Sequence, residues 1–295
     1  MLTFKIEGLS IGGKVLLEGG NFSIGLKEKV GLIGRNGSGK STIVRLIETE
    51  YKKTVQPEDI DFKGTIHLIT GIKLAFLPQE VKFTFSGTVR DYLNFCGGEF
   101  RQVFNRYQEL SSKKELSEEE AIEYQELLRK MTDLNLWNYD YRTKRVIERL
   151  GLKMDVLNKD IQTLSGGEAT KIALAGVLLS DANFWILDEP TNNLDLSSIN
   201  LLLEEIQSFN GSVLIITHDR RILNSLKRII EIDEETKKIR VWGGNYDFYK
   251  TKKEEEFKAR VRKYEEQERK RKQLEEELER LKKEALRFEE ISKDA

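Results

Sequence analysis

Apolar positions change their spacing three times along this chain. Residues 3–9 and 21–26 alternate apolar and polar, so two or three strands come first. Val30, Leu32 and Ile33 then form a short buried strand, and Ile43, Val44, Leu46 and Ile47 mark a helix opening near Ser41. Residues 64–69 and 73–77 read as strands, the second closing at Pro78-Gln79. From residue 88 to about 150 the spacing turns helical: Phe100, Val103, Phe104, Tyr107 and Leu110 recur at three and four, as do Ala121, Tyr124, Leu128 and Met131. Ser117 with Glu120 is a capping box for the second of these helices. The charged turn before it, Lys113 to Glu120, reads as a solvated tip. Buried strands return at 184–187 and 213–216, followed by strands near 228–233 and 237–242. Their near-continuous apolar runs suit a parallel sheet, whose ligands sit at the carboxyl ends of the strands. Past Gly243-Gly244-Asn245 the chain is one long, charged, helix-prone segment.

Composition narrows the class. A chain of 295 residues allows one or two domains with an ample core. Its 49 basic and 50 acidic side chains nearly cancel, so no global charge argues for nucleic acid or a membrane surface. A single cysteine, Cys96, excludes an internal disulfide and fits a reducing compartment. No run is apolar enough to span a membrane, and the alternating N-terminus is not a signal peptide. A soluble cytoplasmic protein is expected.

The chemistry centres on Gly34-Arg35-Asn36-Gly37-Ser38-Gly39-Lys40-Ser41-Thr42, a complete P-loop directly after a buried strand. The glycines let backbone N–H groups converge on a polyphosphate, Lys40 supplies a cation for the β and γ oxygens, and the Ser41 hydroxyl can ligate Mg²⁺. The following helix adds its N-terminal dipole. A nucleoside triphosphate is the expected ligand. At Asp188-Glu189 an apolar strand delivers two carboxylates, the first placed for Mg²⁺ and the second to polarise a water for attack on the γ-phosphate. Leu164-Ser165-Gly166-Gly167-Glu168 puts a hydroxyl and bare amides at a helix N-terminus, suited to a second γ-phosphate contact. Gln79 can sense Mg²⁺ and water, and His218, just past a strand, can bridge γ-phosphate and the attacking water. A lone His at a strand end is more often structural, but the company of the other motifs reverses that weighting.

In this order, with Leu194-Asp195 between the Asp-Glu strand end and His218, residues 1–245 resemble the ATP-binding cassette nucleotide-binding domain. The resemblance implies an α/β P-loop NTPase with a RecA-like core, an antiparallel β subdomain, a helical subdomain at about 88–160, and a long C-terminal helix at 246–295. It also implies that two cassettes sandwich two ATPs head to tail, with the signature turn Leu164–Glu168 and the D-loop Leu194-Asp195 acting across the pair. More closely, the chain is similar to the ABC-F subfamily, soluble twin-cassette proteins that act at the ribosomal tRNA exit site. Leu-Ser-Gly-Gly-Glu168-Ala-Thr-Lys171, Asp188-Glu-Pro-Thr-Asn-Asn-Leu-Asp195, and Thr217-His-Asp-Arg followed by Gly244-Asn-Tyr-Asp-Phe-Tyr249 carry this likeness. Asn193 stands where the subfamily has His, and Thr217 where it has Ser. Ile11 occupies the position where an aromatic ring commonly stacks on adenine, with Phe4 the candidate substitute. The subfamily continues into a second cassette, so this chain is expected to be an N-terminal half, a piece cut from a longer protein, or a natural half-protein, with its second cassette supplied by the missing half or by another copy of itself.

Along the terminal segment Phe257, Val261 and Tyr264, then Leu274, Leu278, Leu281, Ala285 and Phe288, keep a coiled-coil spacing interrupted near 268–271. Lys258, Arg260, Arg262, Lys263 and residues 269–272 make its first half basic, suited to RNA phosphates if it is the interdomain linker. Three classes stay open: a ribosome-binding ATPase of translation, housekeeping or antibiotic-protective, with rRNA or tRNA as partner; the ATPase subunit of a membrane transporter; and a non-catalytic or chromosome-structural cassette protein. The basic tail and Glu168 count against the second. The third would carry its coiled coil between P-loop and signature.

Overall fold

The computed structural model describes the backbone of residues 1–293, with side chains of the last helix described through Glu279 and at Lys282. It divides into two units, Met1–Tyr246 and Asp247–Ala295.

The first unit begins with an antiparallel sheet. β1 (Leu2–Ile11) is central, with β5 (Ile60–Leu68) along one side and β3 (Gly20–Ile24) and β2 (Lys14–Leu17) along the other. Alternation in β1 sends Leu2, Phe4, Ile6 and Leu9 inward. Phe4 pairs in register with Phe22, their rings stacked at 5.3 Å, and meets Phe62 at 5.5 Å. Fully buried there, it cannot serve as an adenine platform, and that expectation is corrected.

The second sheet has six strands in the order β10 (Lys238–Gly243), β9 (Arg228–Asp233), β4 (Lys29–Gly34), β8 (Ser212–Ile216), β7 (Phe184–Asp188) and β6 (Leu74–Leu77). All neighbours run parallel except β10. Every residue of β7 and β8 is buried, as expected of strands covered on both faces. One apolar cluster joins this sheet, through Leu32, Ile186 and Leu214, to the antiparallel sheet and to Ile43 and Ile47 of α1 (Lys40–Lys52).

Between β6 and β7 the chain forms α2 (Val89–Cys96), α3 (Gly98–Ser112), α4 (Glu118–Asp133) and α5 (Tyr139–Arg149), two short 3₁₀ turns, and α6 (Gly166–Leu178). Val103, Phe104, Leu110, Leu127, Met131 and Tyr139 make a separate core. The Ser117–Glu120 capping box is present. The spacing argument placed Ala121 and Leu128 on the inner stripe of α4, but Ala121 is exposed and Leu127 is the buried leucine. A helix turning about 100° per residue leaves either of two adjacent leucines eligible, and the neighbouring helix selects one.

α2 and α6 approach closely at Gly176, where a Cβ would stand 2.9 Å from Cys96 Sγ and 3.0 Å from the Tyr92 ring. Burial raises the Cys96 thiol to about 11, so it is an inert packing group. Gly176→Ala should lose about 1–3 kcal/mol to overpacking, offset by at most about 1 kcal/mol of helix propensity. Adding Cys96→Ala should recover most of the loss in urea titrations. Equal stability of the single variant and the parent would show that the contact gives way freely.

The remaining helices of this unit are α7 (Leu196–Ser208) and the short α8 (Arg220–Ser225). The last helix, α9 (Tyr246–Lys293), makes up nearly all of the second unit. Phe257, Val261, Tyr264, Leu274 and Leu278 are exposed on it, whereas Leu281, Ala285 and Phe288 lie outside the described side chains.

Candidate functional site

Parallel pairing gathers the polar strand ends at one edge of the six-stranded sheet. Leu32 of β4 lies level with Ile216 of β8, and Ile216 with Asp188 of β7. Leu187 is level with Leu77 of β6, so Gln79, exposed in the bend after β6, comes off the sheet at the level of Glu189. The P-loop, His218, Asp188-Glu189 and Gln79 therefore leave four adjacent strands on the same side.

The P-loop is built as a cradle. Gly37 and Gly39 take φ of 78° and 102°, which side chains on Cβ disfavour, and a Cβ on Gly39 would press on Leu16 at 3.2 Å. Gly39 caps α1 without any side-chain hydrogen bond, which leaves the first-turn amides available to an anion. Lys40 is nearly buried and its ammonium donates to the carbonyls of Gly34 at 2.9 Å and Arg35 at 3.0 Å. Burial lowers its pKa, while Glu189 and Asp188 act to raise it. Arg35 is held outward by Glu234 at 3.0 Å. Ser38 and Thr42 are buried against the loop, and the Ser38 hydroxyl has no hydrogen-bond partner among the described residues.

Asp188 is 4% exposed, and burial raises its pKa against the pull of the Ser41 hydroxyl and Lys40. Its Oδ1 is buried with no hydrogen-bond partner among the described residues. An orphaned carboxylate oxygen facing a serine hydroxyl is a hard-oxygen donor set, and these residues fit Mg²⁺. Glu189 sits at φ 49°, in the left-handed region, with its N–H donating to the Ile216 carbonyl at 2.8 Å. Such a conformation costs about 1–3 kcal/mol and gathers at functional sites. Its Oε1 is 3.4 Å from His218 Nε2, and burial raises its pKa while His218 counteracts. His218 is itself largely exposed, so the pair opens to solvent on the imidazole side.

The signature turn is assembled separately. Ser165 caps α6 with its hydroxyl accepting from the Glu168 N–H at 3.3 Å, and Glu168 Oε2 accepts from the Ser165 N–H at 3.0 Å. Lys159, 2.8 Å from Oε1, together with the Ser165 donors pulls the Glu168 carboxyl down to about 2. Asp195 caps α7 through the Ser198 N–H at 2.8 Å, with Lys171 of α6 3.6 Å away and Leu194 just before it. Among the described residues none of Leu164–Glu168 hydrogen-bonds to the P-loop, Asp188, Glu189 or His218. The structure thus brings together Lys40, Ser41, Asp188, Glu189 and His218, while the signature and D-loop residues make hydrogen bonds and ion pairs with Lys159, Lys171 and Ser198.

Lys159 was missed by sequence reasoning, and Thr217 and Lys171 entered it only as motif positions without a structural role. Buried Thr217 accepts from the Asp219 N–H at 3.1 Å and lies 3.3 Å from the Thr191 hydroxyl, which bridges the loops after β7 and β8. The motif spacing of Thr191 and Thr217 was the available signal.

A family model described as ABC transporter matches residues 17–192, and a second with the same description matches residues 232–293. The chain belongs to the ATP-binding cassette family. This is a family of ATPases. It is 32% identical to the ATP-binding protein Uup of Escherichia coli over 84% of this chain and 37% of that protein. Identity is 29% to the energy-dependent translational throttle protein EttA of Mycobacterium tuberculosis over 88% of this chain and 45% of that one. It is 30% to ABC transporter F family member 5 of Arabidopsis thaliana, over 85% and 36%. The chain therefore spans less than half the length of these relatives. Among solved structures, a dimeric post-hydrolysis cassette bound to ADP and Pi superposes with a TM-score of 0.53 at 19% identity, over 82% of this chain and 98% of that one, which supports the fold. No helix among the described residues is long and apolar enough to cross a membrane.

Proposed function

We propose that this chain binds and hydrolyses ATP as one cassette of a head-to-tail pair, within a cytoplasmic ABC-F protein that works on the ribosome. The signature turn carries this reading. Gly166 and Gly167 have nothing within 4 Å of where a Cβ would stand, and Ser165 beside them is exposed. Glycine costs about 1 kcal/mol in a helix relative to alanine, so bare backbone there answers to a surface outside this chain. A nucleotide held on another cassette's P-loop is the surface that hydroxyl and amides would meet.

On this chain's own P-loop, residues Gly34 to Thr42 would wrap the phosphates, with Lys40 exchanging loop carbonyls for β and γ oxygens. Ser41 and Asp188 would hold Mg²⁺, with Gln79 at its edge. The ion, when bound, neutralises charge on the phosphates. Glu189 polarises the attacking water, and His218, 3.4 Å from it, steadies that water and the γ-phosphate. Leu194-Asp195 would face the partner cassette, close to the signature helix through Lys171.

The translational role is supported by the likeness to EttA, an energy-dependent translational throttle protein, and by the exposed basic residues within 258–272 of α9. Ribosomal RNA and tRNA are the partners this suggests. Turnover per chain should rise with chain concentration and rise again when ribosomes are added. A constant rate from a chain shown to be monomeric would reject the pairing, and failure to co-sediment with ribosomes would reject the translational role.

A further inference from the structure

Between β6 and α2 the backbone from Glu80 to Ser86 runs without regular structure. Among the described residues its backbone groups receive hydrogen bonds from one side chain alone. Gln162 Nε2 donates to the Phe83 carbonyl at 3.0 Å and to the Phe85 carbonyl at 2.8 Å. Gln162 lies in the 3₁₀ turn Ile161–Thr163, held by Asp160, whose carboxylate accepts from the Gln162 N–H at 2.8 Å. Farther along, the two segments are zipped through the backbone. The Ile161 N–H donates to the Gly87 carbonyl and the Val89 N–H to the Lys159 carbonyl, both at 3.0 Å, with Thr88 and Asp160 paired between them. On its other side the strap is braced by Tyr92, whose ring meets the edges of Phe83 at 4.9 Å and Phe85 at 5.7 Å.

The placement of this tie gives it a consequence. Phe83 is four residues past Gln79, and Gln162 is three residues before Ser165. The backbone zipper ends at residue 87, too far along to hold the part of the loop that carries Gln79. The carboxamide of Gln162 extends the connection to within a few residues of it. Two donors on one planar group, spaced to match carbonyls two residues apart, hold the strap in one register.

We propose that Gln162 is a positioning residue that couples the Gln79 loop to the signature turn, so that engagement of nucleotide at one is transmitted to the other. It touches neither ATP nor the reacting atoms. This rests on the paired-cassette reading above, in which Gln79 faces this chain's own nucleotide and Ser165 faces the partner's. With the tie cut, each site keeps its own residues, and what is lost is the agreement between them. Coupling between sites of this sort commonly amounts to about 5–150-fold in an equilibrium.

The test compares the full chain with Gln162→Glu, Gln162→Leu and Gln162→Arg at a concentration where turnover per chain has saturated. The Glu variant is isosteric but sets a carboxylate against two carbonyls, Leu removes all polarity, and Arg restores two N–H donors. Gln162 is exposed, so all three should melt with the parent. The Glu and Leu variants should lose about ten-fold in kcat with KM for ATP within about two-fold, and Arg should recover to within about two-fold of the parent. Amide exchange at Ile161 and Val89 should match the parent in all three variants, because their backbone hydrogen bonds do not depend on the Gln162 side chain. Parental kcat in both the Glu and Leu variants overturns the proposal, as does an equal loss in the Arg variant. Glu189→Gln is assayed alongside. If it too hydrolyses ATP at the parental rate, the cassette reading has failed, and if only the Gln162 variants are silent, the tie alone has failed.

Discussion

Glu189→Gln should lower kcat for ATP hydrolysis by about 10²–10⁴-fold and leave ATP binding close to that of the parent chain. The carboxylate stands at the end of a wholly buried strand, pinned by its N–H to the Ile216 carbonyl, with His218 3.4 Å from its Oε1. Burial raises its pKa above the ordinary range for a glutamate, which makes it a stronger base than a solvated carboxylate. The amide keeps the shape and cannot take up a proton, so binding survives and the chemical step does not. The group must be deprotonated to act. The acid limb of the kcat profile should therefore lie above the pH expected for a solvated glutamate, with rate falling as pH falls through the raised pKa. Near-parental single-turnover hydrolysis in the Gln variant would remove Glu189 from the role. A parental rate combined with a lost acid limb would give the titration to Glu189 but the chemistry to another group.

Lys40→Ala should weaken ATP binding itself, by about 10- to 100-fold, the scale of one or two charge-assisted hydrogen bonds. The ammonium is nearly buried, already stripped of much of its water, and positioned by carbonyls of the loop it serves. A phosphate oxygen would replace those carbonyls at little reorganisation cost, so the contact exists before the transition state and appears in affinity. Removing the cation also leaves Asp188 and Glu189 as neighbouring carboxylates without the charge that lowers their pKa values. Both should then hold protons to higher pH, which adds a rate loss to the binding loss. Calorimetric titration with ATP reads the first effect. Unchanged affinity would mean that the loop amides alone hold the phosphates.

The features legible in the sequence depend on residues close together along the chain. The P-loop, the Ser165–Glu168 and Ser117–Glu120 capping boxes and the apolar strands ending in Asp188 and Ile216 are local, because a turn, a cap or a strand face is decided within about four residues. Tertiary structure alone decided which distant segments lie side by side. It placed β8 between the P-loop strand and the Asp188 strand, so that Thr217 and His218 emerge between them. It buried Phe4 against Phe22 and chose Leu127 over Leu128, since periodicity names a face and packing names the residue. It turned Glu189 into the left-handed region, where its N–H meets the Ile216 carbonyl of the neighbouring strand. It also joined Gln162 to carbonyls nearly eighty residues earlier. A hydrogen bond across that separation leaves no spacing in the sequence, because its geometry exists only after the two segments have been brought together by the burial of other residues.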